Sequence, residues 1–123
     1  MLILDTNVLL RYLLDDNEEM ADKAENLLNN NEILIPFEVV AEISYVLGSV
    51  YKMERRQIAE AINGLLTNYD AHVPNDAQLS VALDYYAKHK LDFVDCLVAS
   101  YQDVLGYDVF TFDKKLKNLL SKV

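Results

Sequence analysis

A chain of 123 residues, 52% hydrophobic and 25% charged, with three Gly and two Pro, has one domain's length and the wrong composition for disorder, a collagen repeat or a low-complexity linker. Eleven Lys and Arg against 20 Asp and Glu leave a net charge of −9, so the chain as a whole is no electrostatic sponge for nucleic acid. A single cysteine, Cys96, excludes an internal disulfide framework and a multi-Cys zinc site.

Residues 1–4 read as a buried strand. They are too few, and lack the basic start, for a secretory signal, and no later stretch reaches the ~18–20 apolar residues of a membrane span, so a cytoplasmic chain is expected. A helix follows from about Asn7 to Leu14, broken at Asp15-Asp16-Asn17. Asn17 is placed to cap a second helix that runs to about Asn30. Asn29-Asn30-Asn31 is a turn, and Ile33-Leu34-Ile35 a strand closed by Pro36. Residues 37–51 read as an unusually apolar helix, and Glu54 to Asn68 as another. Ala71-His72-Val73 is a short strand ending at Pro74, after which Asn75 or Asp76 caps a helix reaching Lys88. A loop at 89–92 leads to a helix from Phe93 to Leu105, with Gly106 suited to its C-terminal turn. Asp108–Thr111 is the fourth strand and 113–121 the last helix. Strands alternating with about seven helices predict an α/β fold with a parallel sheet, in one domain over 1–123.

Most of the acids sit on helix faces among polar neighbours and read as solvated surface: Glu18, Glu19, Asp22, Glu25, Glu54 and Glu60. Four do not. Asp5 directly follows an apolar strand, and in parallel sheets ligands bind outside the carboxyl ends of strands. Asp113 follows Val109-Phe110-Thr111-Phe112 in the same way. Asp95 is the one charge within Phe93-Val94-Asp95-Cys96-Leu97-Val98-Ala99, in the first turn of its helix, where the helix dipole favours a carboxylate. Glu42 has Val39, Tyr45 and Val46 among its helical neighbours, which predicts partial burial at a cost of several kcal/mol if unpaired. Each also has a bland reading: N-caps for Asp5, Asp95 and Asp113, and a polar stripe of Glu38 and Glu42 facing water. Asp92, three residues before Asp95, is a natural cap.

Carboxylates gathered at one edge of a sheet repel, and a divalent cation removes that penalty. All-oxygen ligands suit Mg²⁺ or Mn²⁺ rather than Zn²⁺. His72 and His89 show no ligand spacing with Cys96, which reads as a small core residue. No P-loop, dinucleotide fingerprint, His-Glu-x-x-His or nucleophile elbow is present.

These acidic elements resemble those of a known family. Leu2-Ile3-Leu4-Asp5-Thr6-Asn7-Val8-Leu9-Leu10 resembles the opening of PIN domains, and Val39-Val40-Ala41-Glu42-Ile43 their second acidic element. Asp92-Phe93-Val94-Asp95-Cys96-Leu97-Val98-Ala99 is similar to the third, with Cys96 where Ala is usual, and Thr111-Phe112-Asp113 to the closing Thr-Phe-Asp. The short chain and the Asp-Phe-x-Asp form most resemble VapC-type toxins of toxin–antitoxin pairs. The resemblance implies a three-layer α/β/α fold with a parallel sheet of four to five strands, and a Mg²⁺- or Mn²⁺-dependent endoribonuclease. It implies an acidic, metal-holding site of Asp5, Glu42, Asp95 and Asp113. Thr6 and Asn7 would support that site, and Asp92 would act beside it or as a cap. It further implies a homodimer and an antitoxin that offers Arg or Lys to the acids.

RNA must then approach an acidic pocket. Four carboxylates and two divalent ions sum to zero, so a loaded site need not repel phosphate. Lys52, Arg55 and Arg56 form one basic cluster; Lys114, Lys115 and Lys117, just after Asp113, form the better candidate for phosphate contact, or else a solvated helix face. Of eight Tyr, most read as packing, and Tyr12 is one that could stack on a base. Three other readings stand beside toxin activity: a housekeeping RNA-processing nuclease, an aspartyl phosphotransferase with Asp5 as nucleophile, and a non-catalytic interaction domain. Asn7 stands where such phosphotransferases usually carry a second Asp, and the four intact acids speak against a domain without catalysis.

Overall fold

In the computed structural model, which describes residues 1–122, three strands form a parallel sheet in the order β1-β2-β3: β1 (Leu2–Ile3), β2 (Ile33–Leu34) and β3 (Ala71–His72). Leu2 is in register with Ile33 and Ile33 with Ala71. The ladder is extended at its ends by Leu2 N donating to Glu32 O (2.8 Å), Ile33 N to Asp70 O (2.8 Å) and Ile35 N to His72 O (2.7 Å). Parallel strands need long crossovers, and here helices supply them. α1 (Thr6–Leu14) and α2 (Glu18–Asn30) lie between β1 and β2, and α3 (Phe37–Ser49) and α4 (Arg55–Asn68) between β2 and β3. α5 (Asp76–Lys88), α6 (Phe93–Leu105) and α7 (Lys114–Leu120) follow β3.

The helix boundaries have local causes. Asn17 and Asn75 accept from the backbone N–H of Met20 and Gln78, which caps α2 and α5 as the sequence predicts. Asp15, at φ 50°, ends α1 in the left-handed region, and Arg11 secures the turn by a fork on Asp16 at 2.9–3.0 Å. Gly106 ends α6 at φ 74°, where a side chain would be strained.

One core unites these elements. Leu9, Leu28, Ile33, Ile35, Ile43, Leu47, Ile58, Ile62, Leu65, Leu79 and Leu83 are all essentially fully buried. Apolar sheet residues and one stripe of each helix meet there, which is how the amphipathic pattern becomes a fold. Cys96 is fully buried in it as well, and burial pushes its thiol up to about 12, so it behaves as a small apolar side chain.

The fourth strand does not form. Among the described residues the sheet has three strands, not four to five. Residues 106–113 run without ladder partners from the end of α6 to the start of α7. Val109 and Thr111 are half-buried while Phe110 and Phe112 are 81% and 89% exposed, so the period-two alternation that suggested a strand is real. Alternation gives a strand its faces but not its backbone partners, and the bonds this segment makes are local ones at its ends: Gly106 N to Gln102 O, Tyr107 N to Tyr101 O and Asp113 N to Thr111 Oγ1. Phe110 and Phe112 cover each other, edge to face, with ring centroids 5.1 Å apart.

Candidate active site

Asp5 leaves β1 through buried Leu4 and sits just before α1, exposed, with Oδ1 accepting from Val8 N at 3.2 Å. Asp113 repeats the device before α7: Oδ2 accepts from Leu116 N at 2.8 Å, and its own N–H donates to Thr111 Oγ1 at 3.0 Å. Both acids are therefore helix caps, and each spends one carboxylate oxygen on the cap. Thr6 and Asn7 open α1 beside Asp5, half-exposed and exposed respectively.

Of the two roles expected of Asp92, a cap or a place beside the site, its side chain takes the second. It holds the N-cap position of α6, but its side chain makes no capping bond; its backbone carbonyl accepts from Cys96 N at 3.1 Å instead. The carboxylate, exposed, lines a cavity of about 560 Å³ together with half-buried Asp95. Burial raises the Asp95 carboxyl above its ordinary value, and the negative charges of Asp92 and Asp113 raise it further. Asp92, Asp95 and Asp113 thus converge at the N-terminal ends of α6 and α7.

Glu42 is exposed rather than partly buried. Glu38, Glu42, Tyr45 and Ser49, spaced at four, three and four residues, form the water-facing stripe of α3, and the opposite face carries Val40, Ile43, Ser44 and Leu47 into the core. Helical neighbours predicted burial because Tyr45 counted as apolar, yet Tyr45 is itself 69% exposed. The stripe borders the same cavity, whose α3 wall includes Ala41, Ser44 and Tyr45.

The four expected acids do not close into one compact ligand set. Among the described residues, the group whose three ligand atoms all lie within 4.8 Å of one another is Glu32, Asp70 and His72. Glu32 and Asp70 stand where β2 and β3 begin, on the sheet rim opposite Asp5, and His72 Nε2 lies 2.6 Å from Asp70 Oδ1.

Arg55, expected as part of an exposed basic cluster, is directed inward. Its Nε donates to Tyr86 O at 2.7 Å, its terminal nitrogen donates to Leu91 O, and its guanidinium lies over the Tyr86 ring, 3.9 Å from the centroid. It therefore ties the start of α4 to the loop that delivers Asp92 and Asp95. Lys52 and Arg56 remain exposed. Lys114, Lys115 and Lys117 are exposed on α7, and Lys115 shares a smaller cavity of about 170 Å³ with His89, Lys90 and Lys122. Tyr12 is engaged in packing: its hydroxyl lies 2.7 Å from that of Tyr69 and the rings meet edge to face at 5.6 Å. Sequence reasoning missed the anchoring by Arg55 and the exposed ring of Tyr45. Only Tyr45's place one turn beyond Glu42 could have pointed to it.

A parallel α/β sheet followed by acids grouped at two helix starts matches a known domain class, and the chain belongs to it: the PIN domain family model matches residues 2–120. Among individual proteins, the chain is similar to a VapC ribonuclease of Aquifex aeolicus (strain VF5). The two are 30% identical over 125 residues, which cover 97% of this chain and 92% of that protein. No solved structure matches. No helix among the described residues is long and apolar enough to cross a membrane.

Proposed function

We propose that this chain is a Mg²⁺- or Mn²⁺-dependent endoribonuclease and the toxin of a type II toxin–antitoxin pair. The observation that carries the reading is the position of Asp95. It lies in the wall of the 560 Å³ cavity beside Asp92, within reach of the charge of Asp113, with its carboxyl raised first by burial and then by both acids. Arg55 lines the same cavity but spends its guanidinium on the carbonyls of Tyr86 and Leu91, so the grouped acids, whose donors are all hard oxygens, repel one another and favour a bound cation. A divalent cation fits that donor chemistry. Family membership and the similarity to a protein named VapC ribonuclease support the same reading.

Asp5, Glu42, Asp95 and Asp113 are the groups that would hold the cation. Bound there, it would supply Lewis-acid charge at a phosphodiester and ease deprotonation of water. The chain's own residues do the rest. The caps at α1 and α7 fix the Asp5 and Asp113 carboxylates by one oxygen each. Asp92 adds negative charge beside Asp95, and Thr6 and Asn7 shape the turn at Asp5. Lys114, Lys115 and Lys117 lie next in sequence to Asp113 and would meet the RNA backbone. The partners that follow are RNA, a cognate antitoxin offering Arg or Lys to the acids, and a second copy of the chain, in the cytoplasm.

The test is a mixed pool of RNA incubated with protein in Mg²⁺, in Mn²⁺ and in EDTA. Cleavage is expected with metal and not with EDTA, and Asp95→Asn is expected to lower turnover at least ~100-fold, since such ligand sets act as a unit. Equal cleavage in EDTA overturns the metal dependence.

A further inference from the structure

Exposed aromatic side chains in this protein mostly have partners of their own. Phe110 packs on Phe112, and Tyr101 lies 6.3 Å from Tyr107, centroid to centroid. Among the described residues Tyr45 and Tyr51 have none, and of the two Tyr45 is the one that lines the cavity beside the acids. It is 69% exposed, and among the described residues no other ring packs on it and its hydroxyl has no hydrogen-bond partner. It lies three residues beyond Glu42 on the water-facing stripe of α3, and it lines the cavity whose other wall carries Asp92 and Asp95. The cavity, at about 560 Å³, falls in the roughly 300–1,000 Å³ range of small-ligand sites. A phenol ring left bare in water loses the stabilisation its area could give, unless a ligand covers it.

We propose that this cavity is a nucleobase subsite, and that Tyr45 is its stacking platform for the base next to the bond that is cut. The inference rests on the ribonuclease reading and adds to it the place and the residue that hold the substrate. Carboxylates at the site repel phosphate unless a cation is bound, so contacts that do not depend on charge add affinity for RNA beside those of the lysines on α7. A base has an apolar π-face that an aromatic ring covers whatever the sequence, and Val94, 53% exposed on the α6 wall, adds apolar surface opposite. Ser49 lines the same cavity and offers a hydroxyl to a base edge. The platform stands on α3, a helix whose inner face is locked in the core, so the ring's backbone is held fixed relative to the acids.

The experiment uses the full chain with Tyr45→Ala, Tyr45→Leu and Tyr45→Trp. RNA oligonucleotides carrying 2-aminopurine at successive positions report stacking by loss of fluorescence, in Ca²⁺ to hold cleavage back, and Mn²⁺-supported cleavage gives KM and kcat. Wild type and Tyr45→Trp are expected to quench one position. Tyr45→Ala and Tyr45→Leu are expected to lose that quenching and to raise KM roughly ten-fold or more, with kcat nearly unchanged. Tyr45→Leu keeps the apolar bulk without the ring, so its failure assigns the effect to stacking. Unchanged binding and KM in Tyr45→Ala, while wild type cleaves RNA, overturns the subsite and leaves the ribonuclease reading standing. Loss of binding that accompanies a change of oligomeric state in sedimentation also overturns it, and assigns Tyr45 to contact with a second copy. A wild-type protein that neither binds nor cleaves RNA removes both readings together.

Discussion

Asp95 is part-buried beside two other carboxylates, and its behaviour with pH follows from the direction of its shift. Its folded carboxyl titrates above the ordinary 3.8, first because of burial and then because of Asp92 and Asp113. The folded state then holds this proton more tightly than the unfolded chain does. Stability from this group is present below pH 3.8 and is lost as pH rises through the raised folded value. At neutral pH the ionised carboxylate is a cost. Without metal, Asp95→Asn is therefore expected to melt above wild type at pH 7, by roughly 2–5 °C for a domain of this size. That gap should close as the pH approaches about 3.5. Millimolar Mn²⁺ should reverse the order, since it stabilises the native wild-type site by mass action and the variant has lost a ligand. Melting curves in EDTA and in Mn²⁺ at two pH values check both halves. Asp5, by contrast, is a cap that holds Val8 N, so Asp5→Ala is expected to lose about 1 kcal/mol of stability in EDTA as well as activity, read from denaturant midpoints.

At the scale of elements, the junction between α4, α5 and α6 turns on Arg55. Its guanidinium answers two carbonyls from residues 31 and 36 positions away, Tyr86 and Leu91, and covers the ring of Tyr86, which is itself buried. Arg55→Met would keep the length and apolar stem but leave both carbonyls short of a donor. The expected loss is about 1–3 kcal/mol in urea unfolding, with faster amide exchange at Leu91 to Cys96. Arg55→Lys should recover only part of it, because an ammonium cannot reproduce the planar fork or its stacking on the ring. The segment 106–113 is the opposite case. It has strand-like alternation and no partner, so its form depends on the segment's own ends: Gly106 in the left-handed region closes α6, and Asp113 caps α7.

For the whole molecule, one group of exposed apolar side chains lies near the end of α6 and beyond it. Tyr101, Leu105, Tyr107, Phe110 and Phe112 are all at least 38% exposed. α3, unusually apolar in sequence, presents Glu38, Glu42 and Ser49 to water beside Tyr45, the polar stripe that was one of the two readings of Glu42. A surface with this many clustered large apolar groups favours self-association. Sedimentation at micromolar concentrations is expected to show a species of twice 14.1 kDa, and Phe110→Ser with Phe112→Ser to shift it toward the monomer. A single 14.1 kDa species across that range in the wild type would remove the dimer.

The sequence by itself determined the elements that local physics controls. Helix starts at Asn17 and Asn75 and the turn at Gly106 were legible because a cap or a positive φ is a property of one residue and its next few neighbours. The short runs that became β1, β2 and β3 were legible from their apolar residues, but the burial expected of the first strand fails: Leu2 and Ile3 are 38% and 56% exposed at the sheet's edge, and only Leu4 after them is buried. The four candidate acids were singled out by motif and by their apolar sequence neighbours, yet of the four only Asp95 is part-buried, Asp5 and Asp113 being exposed caps and Glu42 exposed. Only the tertiary structure decided what each side chain meets. Residues 108–111 have a strand's alternation, but pairing is a contact with a distant edge and alternation does not supply it. Glu42 was misjudged because its neighbour Tyr45 is apolar by type yet exposed by placement. The roles of Arg55 and Asp92 were settled the same way: a guanidinium's partners lay 31 and 36 residues away, and the choice for Asp92 between capping and lying beside Asp95 fell to a cavity that helices distant in sequence enclose. Burial, pairing and convergence are relations between distant parts of the chain, and folding sets them all at once.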